Sequence, residues 1–145
     1  MIVSVGIDVL ELDRVRGVMA RHRERFLERC FHPDELEYLA ARADMVPGLT
    51  ARLAAKEAFQ KCWRAPFGWR DVWVVKEGPR PLLRMAPALQ EACQNEGLVA
   101  HLSITHGRHQ AAAVVVLEQR EALLPSVAEQ SAQAHVAEPG LDFLE

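Results

Sequence analysis

The chain has no cysteine pattern, no glycine-rich loop and no long apolar run, and each absence excludes a class of protein. Its three cysteines, Cys30, Cys62 and Cys93, are odd in number and far apart. That spacing fits neither a zinc site nor a redox pair, so buried thiols in a reducing, cytoplasmic setting are expected. Neither GxxxxGK nor GxGxxG occurs, which excludes the usual nucleotide-binding loops. Ser103 does not sit in a G-x-S-x-G elbow, which argues against a serine nucleophile. No apolar run reaches the length of a membrane span. The start, Met1 to Asp8, lacks the basic segment and cleavage site of a signal peptide. A net charge of −3 gives no global attraction to nucleic acid or to a membrane. There is no internal repeat.

The 145 residues, 50% hydrophobic and 26% charged, suit one globular domain with its own core. The most informative stretch is Thr50 to Cys62, whose alanines and leucine predict a helix. Ala51, Ala54, Ala55 and Ala58 share a face on which another backbone can approach closely. Arg52, Lys56 and Lys61 surround a single acid, Glu57. A carboxylate among cations suits a hard metal ion with a polyphosphate. The plainer reading of Glu57 and Lys61, four apart with the acid first, is an exposed helix pair.

Ile2 to Leu10 alternates as a strand, with Val3, Val5, Ile7 and Val9 on one face and Ser4, Gly6 and Asp8 on the other. It is expected to be buried, Gly6 marking close approach by a ligand or backbone. Asp8 then lies beside an open spot, or else serves as a turn acid before the next helix. Leu12 to Arg29 is a predicted helix with an inner stripe of Leu12, Val15, Val18, Met19, Phe26 and Leu27. Arg14, Arg16, Arg21, Arg23, Arg25 and Arg29 crowd its outer face. That face is a solvated surface or a dock for an acidic partner; short and without aromatic interleaving, it is a poor nucleic-acid surface.

Pro33 opens a helix to Arg42, with acids in its first turn, and Pro47-Gly48 is expected to break the chain before the central helix. Strands follow at 71–76 and 81–85 around a turn at Glu77 to Arg80. A short helix over 87–95 stops at Gly97. Two strands, 99–105 and 110–117, flank a hairpin at His106 to His109. His106, at a strand end, could hydrogen-bond a phosphate and aid proton transfer, or be a structural residue. Glu118 to Leu124 is expected to form a short helix, and the remainder a weakly helical or mobile tail.

Three blocks, Gly6-Ile-Asp8 with Glu11 and Arg14, Ala54-Ala-Lys-Glu-Ala-Phe59, and Ser103-Ile-Thr-His106 with Ala111-Ala-Ala and Val114-Val-Val, resemble the holo-(acyl-carrier-protein) synthases. These are the small bacterial 4′-phosphopantetheinyl transferases. The blocks occur in family order, with His32-Pro-Asp-Glu-Leu-Glu-Tyr38 between the first two. The resemblance covers about residues 1–118, taken as the transferase domain, and leaves 119–145 as a C-terminal extension.

The resemblance implies an α+β fold, a long helix packed on a small antiparallel sheet. It implies a homotrimer with its active site at the subunit interface. Mg²⁺, or Mn²⁺, would be bound by Asp8 and Glu57 and would hold the diphosphate of coenzyme A. Arg52, Lys56, Lys61 and His106 would contact the coenzyme, and Glu57, Lys61 and His106 would take part in catalysis. Glu57 or a metal-bound water would accept the serine proton. Arg14, Arg25, Phe26 and Arg29 would dock the acidic helix of acyl carrier protein. The implied reaction moves 4′-phosphopantetheine from coenzyme A to a carrier-protein serine and releases adenosine 3′,5′-bisphosphate. The competing reading is a non-catalytic module that binds acyl carrier protein without turning over the coenzyme.

Overall fold

The computed structural model describes residues 1–121. The expectation of a weakly helical or mobile tail falls outside the described residues. The β-branched alternation at the start gives strand β1 (Ile2–Glu11), which runs directly into helix α1 (Leu12–Cys30). Helix α1 buries Leu12 and Val15 and leaves helical geometry at His22 (φ −141°, ψ 40°), so its two halves point differently. Helix α2 (Pro33–Ala40) begins with a reciprocal cap. The His32 ring accepts from the Asp34 N–H at 3.1 Å, and Glu35 accepts from the His32 N–H at 3.0 Å.

Helix α3 (Val46–Cys62) starts earlier than expected. Pro47 and Gly48 are its first turn and not a break before it. Proline's fixed φ suits that turn, where its missing N–H has no helical partner to lose. Hairpin β2 (Val72–Glu77) and β3 (Arg80–Met85) follows, turning at Gly78 with φ +61°. Helix α4 (Pro87–Asn95) ends before Gly97, whose φ of +68° reverses the chain. Strands β4 (Leu98–His106) and β5 (Gln110–Gln119) form the final hairpin. The helix expected from Glu118 is corrected at its start: Glu118 and Gln119 extend β5 and pair with β4 and β1.

The strands form one three-stranded antiparallel sheet, ordered β1-β5-β4, and a separate two-stranded sheet. α3 lies across the inner face of the larger sheet, burying Ala54, Ala55, Ala58 and Phe59 against Ala113, Val115 and Leu117. This is the expected long helix on a small antiparallel sheet. A Cβ on Gly6 would stand 2.0 Å from the Ala58 carbonyl oxygen, so glycine is what lets β1 meet the helix backbone.

The expectation of a buried β1 is corrected. Its inner face is the small set Ser4, Gly6 and Asp8, because only small residues fit under α3. Val5, Ile7 and Val9 point outward and are 51–58% exposed. They align in register with Val116, Val114 and Ala112 of β5. Among the described residues, no helix is long and apolar enough to cross a membrane. Cys62 and Cys93 are buried thiols, as expected, and Cys30 is half-buried. Burial pushes all three up from the ordinary thiol range, which keeps them protonated and unreactive.

Candidate active site

Two clusters of predicted site residues form on opposite sides of α3. Arg52 and Glu57 are five residues apart, about 140° around a helix, so one side chain cannot face where the other does.

The first cluster joins α3 to β1. Asp8 points from the inner face of β1 toward Glu57, near enough for its carboxyl to act on the protonation of Glu57. Lys61, one turn further along α3, donates to Asp8 Oδ1 at 3.1 Å and to the Ile7 carbonyl at 2.8 Å. Asp8 Oδ2 is buried and has no hydrogen-bond partner, which is costly for a carboxylate. The Glu57 carboxyl is pushed up to about 7. Burial is the largest cause, followed by the neighbouring Asp8 carboxyl; Arg14 and Lys61 oppose it. Two acids that cannot comfortably both ionise, one with an orphaned oxygen, form a site short of positive charge. A divalent cation fits that need. Among the described residues, no group of three or more His, Cys, Asp or Glu side chains is placed to hold a metal ion, so the chain offers the pair as a partial ligand set.

The second cluster lines a cleft of about 500 Å³ between α2, α3, the β2–β3 hairpin and β4. Arg52 and His106 both open onto it. Three residues that the sequence reading missed join them: Tyr38, Arg42 and Lys76. The guanidinium groups of Arg42 and Arg52 each lie 5.0 Å from the centre of the Tyr38 ring, a cation–π arrangement that stiffens both. The cleft therefore gathers the three cations Arg42, Arg52 and Lys76, with Asp44 also on its wall, and suits a phosphate ester. Arg42 and Lys76 carry no local motif; only the packing of α2 and β2 around α3 brings them to Arg52.

Lys56, expected near a phosphate, is corrected by its burial. It is 0% exposed and donates to Glu35 Oε1 at 2.7 Å, the Trp69 carbonyl at 2.8 Å and the Val72 carbonyl at 2.6 Å. An ammonium has only these three donors, so none remains for a ligand. Burial pushes it down from the usual lysine range, against the pull of Glu35.

On α1, Arg14, Arg25 and Arg29 are exposed. Arg14 also lies close enough to Glu57 to oppose its rise, which links the helix surface to the carboxylate pair. Phe26 is half-buried, its ring edge-on to Phe31 at 5.3 Å between centroids. A further cavity, about 450 Å³, sits at the end of α3 among Ser4, Cys62, Trp63 and Leu117. No predicted site residue lines it.

Comparison with known proteins gives a consistent result. The family profile of the 4′-phosphopantetheinyl transferase superfamily matches residues 4–115. A holo-(acyl-carrier-protein) synthase of Thermus thermophilus is 53% identical over 120 residues, covering 83% of this chain and 96% of that protein. The crystal structure of the Neisseria meningitidis synthase superposes with a TM-score of 0.75 at 27% identity, covering 81% of this chain and 99% of that one. The Bacillus anthracis synthase, solved in complex with coenzyme A (3′,5′-ADP), superposes with a TM-score of 0.69 at 28% identity, covering 83% and 99%.

Proposed function

The chain belongs to the holo-(acyl-carrier-protein) synthases of the 4′-phosphopantetheinyl transferase superfamily, and from that membership we infer its reaction. It transfers 4′-phosphopantetheine from coenzyme A to a serine of apo-acyl carrier protein. The serine oxygen forms a bond to the β-phosphorus as the bridging oxygen leaves with adenosine 3′,5′-bisphosphate.

The observation that carries the site assignment is the Asp8–Glu57 pair with its orphaned oxygen. These two carboxylates would hold Mg²⁺, or Mn²⁺, which when bound neutralises the diphosphate and stabilises charge developing on the β-phosphate. Lys61 keeps Asp8 in place through its 3.1 Å contact and adds a positive charge to the same edge. Glu57 or a metal-bound water would accept the serine proton. Arg52 and His106, supported by Arg42 and Lys76, bind the coenzyme phosphates in the cleft. Arg14, Arg25 and Arg29, with the edge of Phe26, form the surface for the acidic carrier protein.

The two clusters belong to different sides of α3, so one copy alone does not close a site around the diphosphate. The exposed Val5, Ile7 and Val9, continuous with Val114 and Val116, support burial of this face against further copies. The reading is a cytoplasmic homotrimer in which the carboxylates of one subunit meet the cationic cleft of its neighbour.

The experiment is intact mass spectrometry of apo-acyl carrier protein incubated with the protein, coenzyme A and Mg²⁺, with a chelator control. A gain of the phosphopantetheine mass that the chelator abolishes is expected. Binding of carrier protein with no mass gain, across several carriers, would leave the non-catalytic module. For the shared site, inactive Glu57→Ala and Arg52→Ala proteins are mixed after subunit exchange. Partial return of activity supports the interface, and none opposes it.

A further inference from the structure

Glu35 has no role in the reaction as described, yet it is completely buried, 0% exposed. Its Oε1 accepts from Lys56 Nζ at 2.7 Å and from the His32 N–H at 3.0 Å. Its Oε2 accepts from the Val74 N–H at 3.1 Å and stands 3.9 Å from Arg52 Nε, a buried donor with no hydrogen-bond partner. One carboxylate thus faces two buried cations, Lys56 and Arg52, placed one turn apart on the same face of α3. Lys56 passes the connection on to the Trp69 and Val72 carbonyls. Through it, α2, α3, the loop before β2 and β2 itself meet at a single ion pair.

We propose that Glu35 is a positioning residue for coenzyme binding: its carboxylate is the counter-charge that holds the Arg52 guanidinium at the mouth of the cationic cleft. The inference rests on the reading of that cleft as the coenzyme phosphate site. The Arg52 head is only loosely tethered otherwise, by a 3.3 Å bond from Nη1 to the Gly48 carbonyl and by the Tyr38 ring. Without the carboxylate, two like charges would remain buried side by side, and Arg52, nearer the cleft, is the one with room to swing outward. Such a loss weakens ground-state binding of phosphate more than it slows the chemical step.

The test uses Glu35→Gln and the pair Glu35→Met/Lys56→Met, the latter removing both charges while keeping volume. Each is made with and without Arg52→Ala. Calorimetric binding of coenzyme A, KM and kcat are measured with the full-length protein. In both Glu35 backgrounds the dissociation constant and KM should rise about tenfold, the scale of one charge-assisted contact, with kcat falling far less. In the Arg52→Ala background the same changes should add little further loss. A full tenfold loss persisting without Arg52 would overturn the proposal, as would unchanged binding. Failure of both Glu35 variants to fold would make Glu35 a stability element only and overturn it too. A parent protein that bound no coenzyme A would sink the cleft reading itself, which is a separate and recognisable result.

Discussion

Helix α3 carries two acid–lysine pairs that differ in almost every physical respect. Lys56 and Glu35 are both fully buried, and every donor and acceptor is matched. Lys61 and Asp8 sit at the surface, with side chains 55% and 13% exposed, and one Asp8 oxygen has nothing to bind. A saturated pair has no valence left for a ligand of its own, so it acts only through what it holds in place. An unsaturated one, next to a Glu57 carboxyl pushed up to about 7, is ready for a cation. Sequence alone places Lys56, Glu57 and Lys61 in one motif. Their difference in use comes from what packs around them.

Breaking the saturated pair should have the largest effect on stability. Lys56→Met leaves the Glu35 carboxylate buried without its partner and should cost about 3–5 kcal/mol in denaturant unfolding. The unsaturated pair should behave in the opposite sense. Asp8→Ala or Glu57→Ala should remove transfer activity by a factor of about 10²–10³ or more, the loss of one transition-state contact, while the unfolding midpoint holds or rises. A fall in stability matching that of Lys56→Met would erase the distinction between the pairs.

Gly6→Ala tests the approach that brings Asp8 to Glu57. The new Cβ would press on the Ala58 carbonyl oxygen, and about 1–3 kcal/mol of destabilisation is expected, together with reduced metal affinity by calorimetry.

The pH dependence sharpens the comparison more gently. Because Glu57 titrates near 7 in the fold and near its ordinary 4.5 when unfolded, the folded state binds the extra proton between those values. Metal-free stability should therefore decline as pH rises from 4.5 to 7 and level off above. Thermal melts of Glu57→Gln should lack that slope; a slope of equal size in the variant would assign it elsewhere. The smallest change is expected from Lys61→Met, whose exposed ion pair should contribute about 0–1 kcal/mol to folding even as turnover falls.

Most elements were legible because each carries its own signal. The period-two β1, the proline starting α2, Gly78 and Gly97 at the turns, and the alanine face of α3 all act within a few residues. The boundary at Pro47 was misread because proline both ends and begins helices, and the sequence does not say which. The open face of β1 was missed for a related reason. Alternation separates two faces but does not choose the inner one, and here the close approach of Ala58 selects Gly6 over the larger valines. Asp8 and Glu57 were recoverable from motifs, whereas Glu35, Arg42 and Lys76 gain their importance only from neighbours distant in the chain.

The sequence by itself determined the secondary elements, the family, and the presence of a carboxylate pair among cations. These follow from local propensity and short motifs. Only the tertiary structure decided which lysine is consumed in the core, which face of β1 remains open, and which cations share the Arg52 cleft. Those outcomes depend on burial and on the pairing of charges across elements, and desolvation acts on a side chain through all its neighbours and not through its place in the chain.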